Sequence, residues 1–192
     1  MTQILLTGGT GFLGTPLRKI LKEHKIPTRL ILRKPVELFK NETAVFCEDF
    51  FNADELFYKN ALKNIQTVIH LAWYVEHGKY QYSNLNEQCK NASFKFAEIA
   101  LKENIAHFIG VGTCFEYQMQ NAPLDISTPL KPFTPYGTAK AELFLELKKL
   151  FQNTKTRFSW ARLFYLFGEN ENPNRLTPSI HNALKNGEKN NN

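Results

Sequence analysis

At 192 residues the chain is long enough for one domain with a sizeable core and too short for two ordinary ones. Its hydrophobic content of 43% and charged content of 22% fit a folded globular chain, and no apolar run approaches the roughly 18–20 residues that a bilayer crossing needs. The formal charge of +6 comes partly from lysines at helix-like intervals (Lys19, Lys22, Lys25; Lys148, Lys149), which predicts a solvated surface favouring anionic small molecules and no nucleic-acid partner.

The opening Met1-Thr2-Gln3 carries no basic leader or small-residue cleavage site, so the expectation is a cytoplasmic protein with no membrane partner. Cys47, Cys89 and Cys114 are far apart and odd in number. That spacing suits neither zinc nor a disulfide framework and fits a reducing compartment, and no metal is expected. Cys47 and Cys89 are expected to be small buried hydrophobes.

In chain order, Gln3–Thr7 is a short apolar run that stops at Gly8-Gly9, a buried strand. Leu13, Leu17, Ile20 and Leu21 then line one face of a helix, with Pro16 tolerable in its first turn. Thr28–Arg33 is the second strand and Ala44–Cys47 a weak third. Asp54–Leu62 is a short helix with Leu56, Phe57 and Ala61 inward, and Thr67–Ala72 is a fourth strand buried on both faces. Asn86–Lys102 is a long helix with Phe94, Ala97 and Leu101 inward, followed by the strand His107–Gly112. Gln118–Pro135, with four prolines and no periodicity, is a long loop of the kind that carries function. Tyr136–Phe151 is a strong helix, Phe158–Leu163 a sixth strand, and Pro178–Lys185 a last short helix; residues 190–192 are expected to be a disordered tail. The alternation predicts an α/β fold, a Rossmann-like doubly wound parallel sheet occupying residues 1–189. Ligands of such sheets bind at the carboxyl ends of the strands.

Directly after the first strand comes Thr7-Gly8-Gly9-Thr10-Gly11-Phe12-Leu13-Gly14. Gly9, Gly11 and Gly14 satisfy G-x-G-x-x-G, and Gly8, Gly11 and Gly14 give an alternative spacing. Glycine permits the tight turn and lets backbone approach a pyrophosphate, which then faces the helix N-terminus. Between a strand and a helix this motif predicts a dinucleotide site formed by Gly8, Thr10, Gly11, Phe12, Leu13 and Gly14. An NAD site usually offers a carboxylate at the end of the second strand; Arg33-Lys34 stands there instead. A cation suits a 2′-phosphate, so Arg33 predicts NADP, with NAD the lesser expectation.

Tyr136 and Lys140 open the strong helix at positions i and i+4, so phenol and ammonium can share one site. A free tyrosine titrates near about 10, and a nearby ammonium would favour its phenolate.

With the glycine turn, Tyr136-x-x-x-Lys140 resembles the short-chain dehydrogenase/reductase signature, and the chain is similar to the extended branch that acts on nucleotide-activated sugars. Supporting segments are Val68-Ile69-His70-Leu71-Ala72, Asn86, and Arg162-Leu163-Phe164-Tyr165-Leu166-Phe167-Gly168. The resemblance implies Thr113 as the hydroxyl that aligns a substrate with Tyr136, completing a catalytic set of Tyr136, Lys140 and Thr113. It also implies cofactor contacts at Asp49 and Phe50 (around the adenine), Leu71, Ala72, Trp73, Tyr136, Lys140 and Phe164, and substrate contacts at Thr113, Cys114 and Tyr165. Leu71-Ala72-Trp73-Tyr74, Gly112-Thr113-Cys114-Phe115-Glu116-Tyr117 and Arg162-Leu163-Phe164-Tyr165 look like a subgroup of 4-ketoreductases that includes CDP-abequose synthase.

Two departures accompany the resemblance. Tyr165 stands where many extended members carry an asparagine, and the smaller C-terminal substrate domain of that branch is expected to be largely missing. The implied function is NADP(H)-dependent 4-keto reduction of a nucleotide sugar, with a possible homodimer. Epimerase or dehydratase action is the alternative, although Cys114-Phe115 offers no acid and base for dehydration. A non-catalytic NADP-binding protein, truncated or regulatory, is the alternative of another class.

Overall fold

The computed structural model describes residues 3–187. Six parallel strands form one sheet: β1 (Ile4–Thr7), β2 (Thr28–Leu32), β3 (Glu42–Phe46), β4 (Thr67–His70), β5 (His107–Thr113) and β6 (Arg157–Leu163). Their order is β3-β2-β1-β4-β5-β6, so the chain winds outward from β1 in one direction and then from β4 in the other. The order reverses between β1 and β4, paired with Leu5 opposite Val68 and Leu6 opposite Ile69. This is the Rossmann-like doubly wound sheet, and its carboxyl edge at the reversal is the ligand crevice of such folds.

Among the described residues five α-helices connect and flank the strands: α1 (Gly14–Glu23), α2 (Glu55–Leu62), α3 (Leu85–Lys102), α4 (Pro135–Phe151) and α5 (Leu176–Lys185). The larger core lies between the sheet and α2, α3 and α4, where Leu5, Val68, Phe96, Phe108, Leu143 and Leu147 pack together. A smaller cluster of Leu6, Leu30 and Leu32 meets Leu17 on the α1 side. Strand residues facing apolar layers on both sides explain why β1 and β2 read as continuous hydrophobic runs.

Side-chain capping sets several helix starts. The Asp54 side chain accepts from Phe57 N–H at α2, and the Thr134 side chain accepts from Gly137 N–H with Pro135 at the first position of α4. The α5 helix begins at Leu176 rather than Pro178, which places that proline inside the first turn. The 118–135 loop is pinned at its base by a bridge between Tyr117 and Leu130.

Helix faces are where periodicity misled. In α1, Ile20 is 51% exposed and Arg18 is buried in its stead. Arg18 Nε and Nη2 each donate to the Glu42 carboxylate at 2.8 Å, sealing the end of β3 against the helix. In α2, Leu56 is exposed while Tyr58, Ala61 and Leu62 are buried, because Tyr58 reaches inward to donate from its hydroxyl to the Phe50 carbonyl at 2.6 Å. In α3, Ala97 faces the core as expected, but its fully buried aromatic is Phe96 rather than Phe94. Cys89 is buried and Cys47 partly so, and all three thiols are free. No helix among the described residues is long and apolar enough to cross a membrane, and the tail at residues 190–192 lies outside the described residues.

Candidate dinucleotide and redox site

The glycine turn joins β1 to α1 and is built by close backbone contact. Gly8 has φ +69, and Gly11 N–H donates to the Gly8 carbonyl at 3.1 Å. A Cβ at Gly14 would lie 2.2 Å from that same oxygen, and one at Gly8 would lie 2.9 Å from the Ala72 nitrogen. Only bare backbone lets the α1 N-terminus, β1 and the chain after β4 converge. The first turn of α1 has no side-chain cap and no acidic residue to oppose an anion at the helix dipole, while Thr15 N–H is already committed to the Gly11 carbonyl and Pro16 has none to offer. Thr10 and Gly11 are exposed, with Phe12 and Leu13 half-buried beside them. These features fit a dinucleotide pyrophosphate.

Below the turn, Thr7 ties β1 to β4. Its hydroxyl oxygen accepts from Leu71 N–H and Ala72 N–H, both at 3.1 Å, and lies 2.8 Å from His70 Nδ1. With both acceptor positions taken, the Thr7 proton goes to Nδ1, and His70 Nε2–H donates to Ser93 Oγ at 2.8 Å. Burial pushes the imidazole down to about 3, with the Lys140 charge acting in the same direction, so His70 is a neutral structural strut.

On the other side of the crevice, Tyr136 and Lys140 project from the first turns of α4. Gly137 makes this possible: a Cβ there would lie 2.4 Å from the Phe115 carbonyl oxygen, so glycine lets α4 seat directly on the end of β5. Lys140, only 5% exposed, donates from Nζ to the Val111 carbonyl at 2.8 Å, two residues before Thr113 on β5. Its ammonium lies 3.7 Å from the centroid of the Trp73 ring. That indole in turn meets the Tyr136 ring edge-on at 6.3 Å and donates from Nε1 to Asn86 Oδ1 at 2.9 Å. Asn86 is fixed by donating to the Tyr80 and Ser83 carbonyls, and Tyr80 packs perpendicular to Tyr136 at 4.9 Å. The Tyr136 and Thr113 hydroxyls are close enough to interact.

Electrostatically the pair differs from the expectation. Burial pushes the Tyr136 phenol well above its ordinary range, aided by Tyr80, while the Thr113 hydroxyl opposes the rise. Lys140 is carried down to about 7 by burial, against the Glu116 carboxylate and the neighbouring Cys89 thiol. The ammonium stands on Trp73 and Val111 rather than lowering the phenol. Tyr136 is therefore a held proton donor, and Lys140 sits where it can gain or lose a proton near neutrality.

The remaining expected contacts separate by burial. Leu71, Ala72 and Trp73 follow β4 directly into the crevice, with Trp73 buried. Asp49 is exposed and accepts from Phe51 N–H at 2.9 Å. The Phe50 ring is buried among Tyr58, His70 and Phe96 and is not free to meet an adenine as the sequence implies. Cys114 is also buried, and its thiol, raised by burial, is not a substrate-facing surface. Phe164 and Tyr165 are exposed past β6, where Tyr165 packs edge-on against Phe115 at 6.2 Å. Sequence reading missed Tyr80, Glu116 and Trp160. Of these, Glu116 was signalled by the T-x-x-E spacing from Thr113, a capping box.

Residues 4–191 match the NAD dependent epimerase/dehydratase family. The chain is 28% identical over 185 residues to dTDP-6-deoxy-L-talose 4-dehydrogenase (NAD(+)) of Aggregatibacter actinomycetemcomitans, covering 94% of this chain and 67% of that relative. Its fold superposes on the Bordetella bronchiseptica enzyme WbmG in complex with NAD, with a TM-score of 0.80, 20% identity, and coverage of 98% of this chain and 61% of WbmG. It superposes equally on DesIV, the dTDP-glucose 4,6-dehydratase of Streptomyces venezuelae with NAD and TYD bound, with a TM-score of 0.80 and 19% identity over 97% of this chain and 63% of DesIV. The chain thus spans about three fifths of the length of these solved relatives.

The expectation of NADP is overturned by these relatives: the talose dehydrogenase is named for NAD(+), and WbmG carries NAD. Arg33 and Lys34 are both exposed, and a solvated cation beyond a strand end is as compatible with a plain ribose as with its phosphate. With the glycine turn, the reversal of strand order and the family match all in agreement, the chain belongs to the NAD dependent epimerase/dehydratase family.

Proposed function

We propose that the chain is the catalytic part of an NAD-dependent oxidoreductase that interconverts a hydroxyl and a keto group at C4 of a nucleotide-activated sugar. The observation that carries this reading is the convergence of Tyr136, Lys140 and Thr113 at the carboxyl ends of the strands, beside a glycine turn fitted to a pyrophosphate. The 4-dehydrogenase name of the talose relative supports the position on the sugar.

When bound, NAD(H) supplies or accepts the hydride at the sugar carbon. In the reducing direction, Tyr136 holds a proton that its burial keeps on the phenol, and it delivers that proton to the carbonyl oxygen. Thr113 donates a hydrogen bond to the same oxygen and aligns it. Lys140, linked to Tyr136 through the Trp73 ring, keeps positive charge beside the developing alkoxide. The Trp73–Asn86–Tyr80 contacts fix these groups before substrate arrives, which limits the reorganisation needed in the reaction. Epimerisation by the same residues is the second reading, favoured by the family match. Dehydration is disfavoured because Cys114 is buried and Phe115 carries no titratable group.

The test is NADH consumption with a nucleotide-linked 4-keto-6-deoxy sugar, comparing wild type with Tyr136→Phe. The variant should bind NADH like wild type and lose about 10²–10⁴-fold in turnover. If both bind NADH and neither consumes it, the 4-keto reduction reading fails.

A further inference from the structure

Behind Thr113 lies a carboxylate that the proposed reaction does not use. Glu116 is fully buried at 0% exposure and is held by three donors. Its Oε1 accepts from Thr113 N–H at 2.8 Å, its Oε2 accepts from Arg162 Nε at 2.6 Å, and both face Trp160 Nε1–H at 3.1 and 3.2 Å. The Thr113 hydroxyl in return accepts from Phe115 N–H at 3.3 Å, so the β5 end and the turn after it are locked reciprocally.

The strand makes room for this carboxylate with missing side chains. A Cβ at Gly112 would lie 2.1 Å from Glu116 Oε1 and 2.2 Å from Trp160 Nε1, and one at Gly110 would lie 2.5 Å from the Trp160 ring. Arg162 is seated against the Phe144 ring at 4.4 Å and the Tyr117 ring at 4.8 Å, and its Nη1 donates to the Tyr117 hydroxyl at 3.3 Å. Trp160 bridges toward α4: its N–H meets Glu116, and its ring centroid lies 5.9 Å from Lys140 Nζ. Burying two charges to cap one short turn is a poor bargain, since a neutral cap would do the same work without the desolvation cost. The charge therefore calls for a role.

We infer that Glu116 is a positioning residue of the redox site: its carboxylate clamps the Thr113 backbone to β6 and supplies the negative charge facing the Lys140 ammonium. This rests on the roles proposed above for Thr113 and Lys140. Around Lys140 stand the Trp73 face after β4, neutral His70 on β4, the Val111 carbonyl on β5, the Cys89 thiol on α3, Tyr136 on α4, and Glu116 with Arg162 beyond it. Glu116 carries the formal negative charge in that set. It draws the lysine toward its charged form against the burial that lowers it, and adds a small push to the burial that keeps the proton on Tyr136.

The test is an NMR titration of the Lys140 side chain in the full chain labelled at lysine Cε, assigned by the signal missing from Lys140→Arg. Glu116→Gln should lower the Lys140 midpoint by roughly one pH unit, and Glu116→Asp, which keeps the charge, should restore most of it. Glu116→Gln/Arg162→Met, which removes both members of the buried pair and strands neither, should also lower the Lys140 midpoint. With nucleotide 4-keto-sugar, Glu116→Gln should lower kcat with KM little changed. A folded Glu116→Gln whose Lys140 midpoint matches wild type, with only its melting temperature lowered, overturns the inference. Should that variant fail to fold, the double replacement decides: a Lys140 midpoint unchanged or raised overturns it. The titration uses neither dinucleotide nor sugar. A chain that turned over no nucleotide sugar would sink the proposed reaction and leave this result standing, while normal turnover with an unmoved midpoint would sink Glu116 alone.

Discussion

The Lys140 ammonium is sandwiched between the Trp73 indole, 3.7 Å from its ring centroid, and the Val111 carbonyl at 2.8 Å. A cation so thoroughly desolvated is a cost to the fold, only partly offset by the indole face. Replacing it with Met should therefore stabilise the protein while abolishing turnover. Burial carries Lys140 down to about 7, below its unfolded value of 10.5, so between those values the unfolded chain binds more protons and stability rises with pH. The Lys140→Met gain, about 1–4 kcal/mol, should be largest below pH 7 and shrink as pH rises toward 10.5. Denaturant melts across pH check this, and a variant less stable than wild type at pH 6 would contradict it.

Thr7 and His70 join the glycine turn to the core. Thr7→Val keeps the shape but leaves Ala72 N–H without its acceptor and Leu71 N–H with only the 3.3 Å bond to the Thr7 carbonyl, at a cost of about 1–3 kcal/mol. The loosened turn should also weaken NAD binding, read by calorimetry.

His70 predicts an acid limb. Burial holds it at about 3 against 6.5 unfolded, so in that window the unfolded chain binds the extra proton and stability falls as pH drops. His70→Gln should flatten the stability curve between those pH values relative to wild type. A parallel slope in both proteins would assign the acid limb elsewhere.

Arg18 and Glu42 form a buried pair with side chains 10% and 1% exposed. Burial pushes the Glu42 carboxyl up, but the Arg18 hydrogen bond and charge and the Phe39 N–H together hold it below its ordinary value. Its contribution is thus present above the unfolded value and lost as pH falls through the lower folded one. Glu42→Ala strands the guanidinium and should cost about 3–5 kcal/mol, whereas the double replacement Arg18→Met/Glu42→Leu should recover most of that loss. Chemical denaturation of the two variants measures the difference.

Gly137→Ala tests placement rather than chemistry. The added methyl would meet the Phe115 carbonyl at 2.4 Å and lift the start of α4 from the end of β5. Overpacking of this kind costs about 1–3 kcal/mol, and the displaced Tyr136 should lower turnover roughly 100-fold while NAD still binds through the glycine turn. Equal loss of binding and turnover would show instead that the whole crevice had collapsed.

The sequence by itself determined the alternation of strands and helices, the glycine turn after β1, and the placing of Tyr136 and Lys140 on one helical face. These are local features: apolar runs, glycine spacing and a four-residue helical repeat act within a few residues. Tertiary structure decided which face of each helix is buried, as Arg18 replacing Ile20 and Tyr58 displacing Leu56 show. Those choices depend on partners such as Glu42 and the Phe50 carbonyl, distant in sequence or across a turn. It likewise decided that the Lys140 ammonium rests on Trp73 and that Glu116 is buried against Arg162, because desolvation and ion pairing exist only once the strands are assembled. Arg33 marks the same boundary: its charge was plain in the chain, but a charge left in solvent does not select between two dinucleotides.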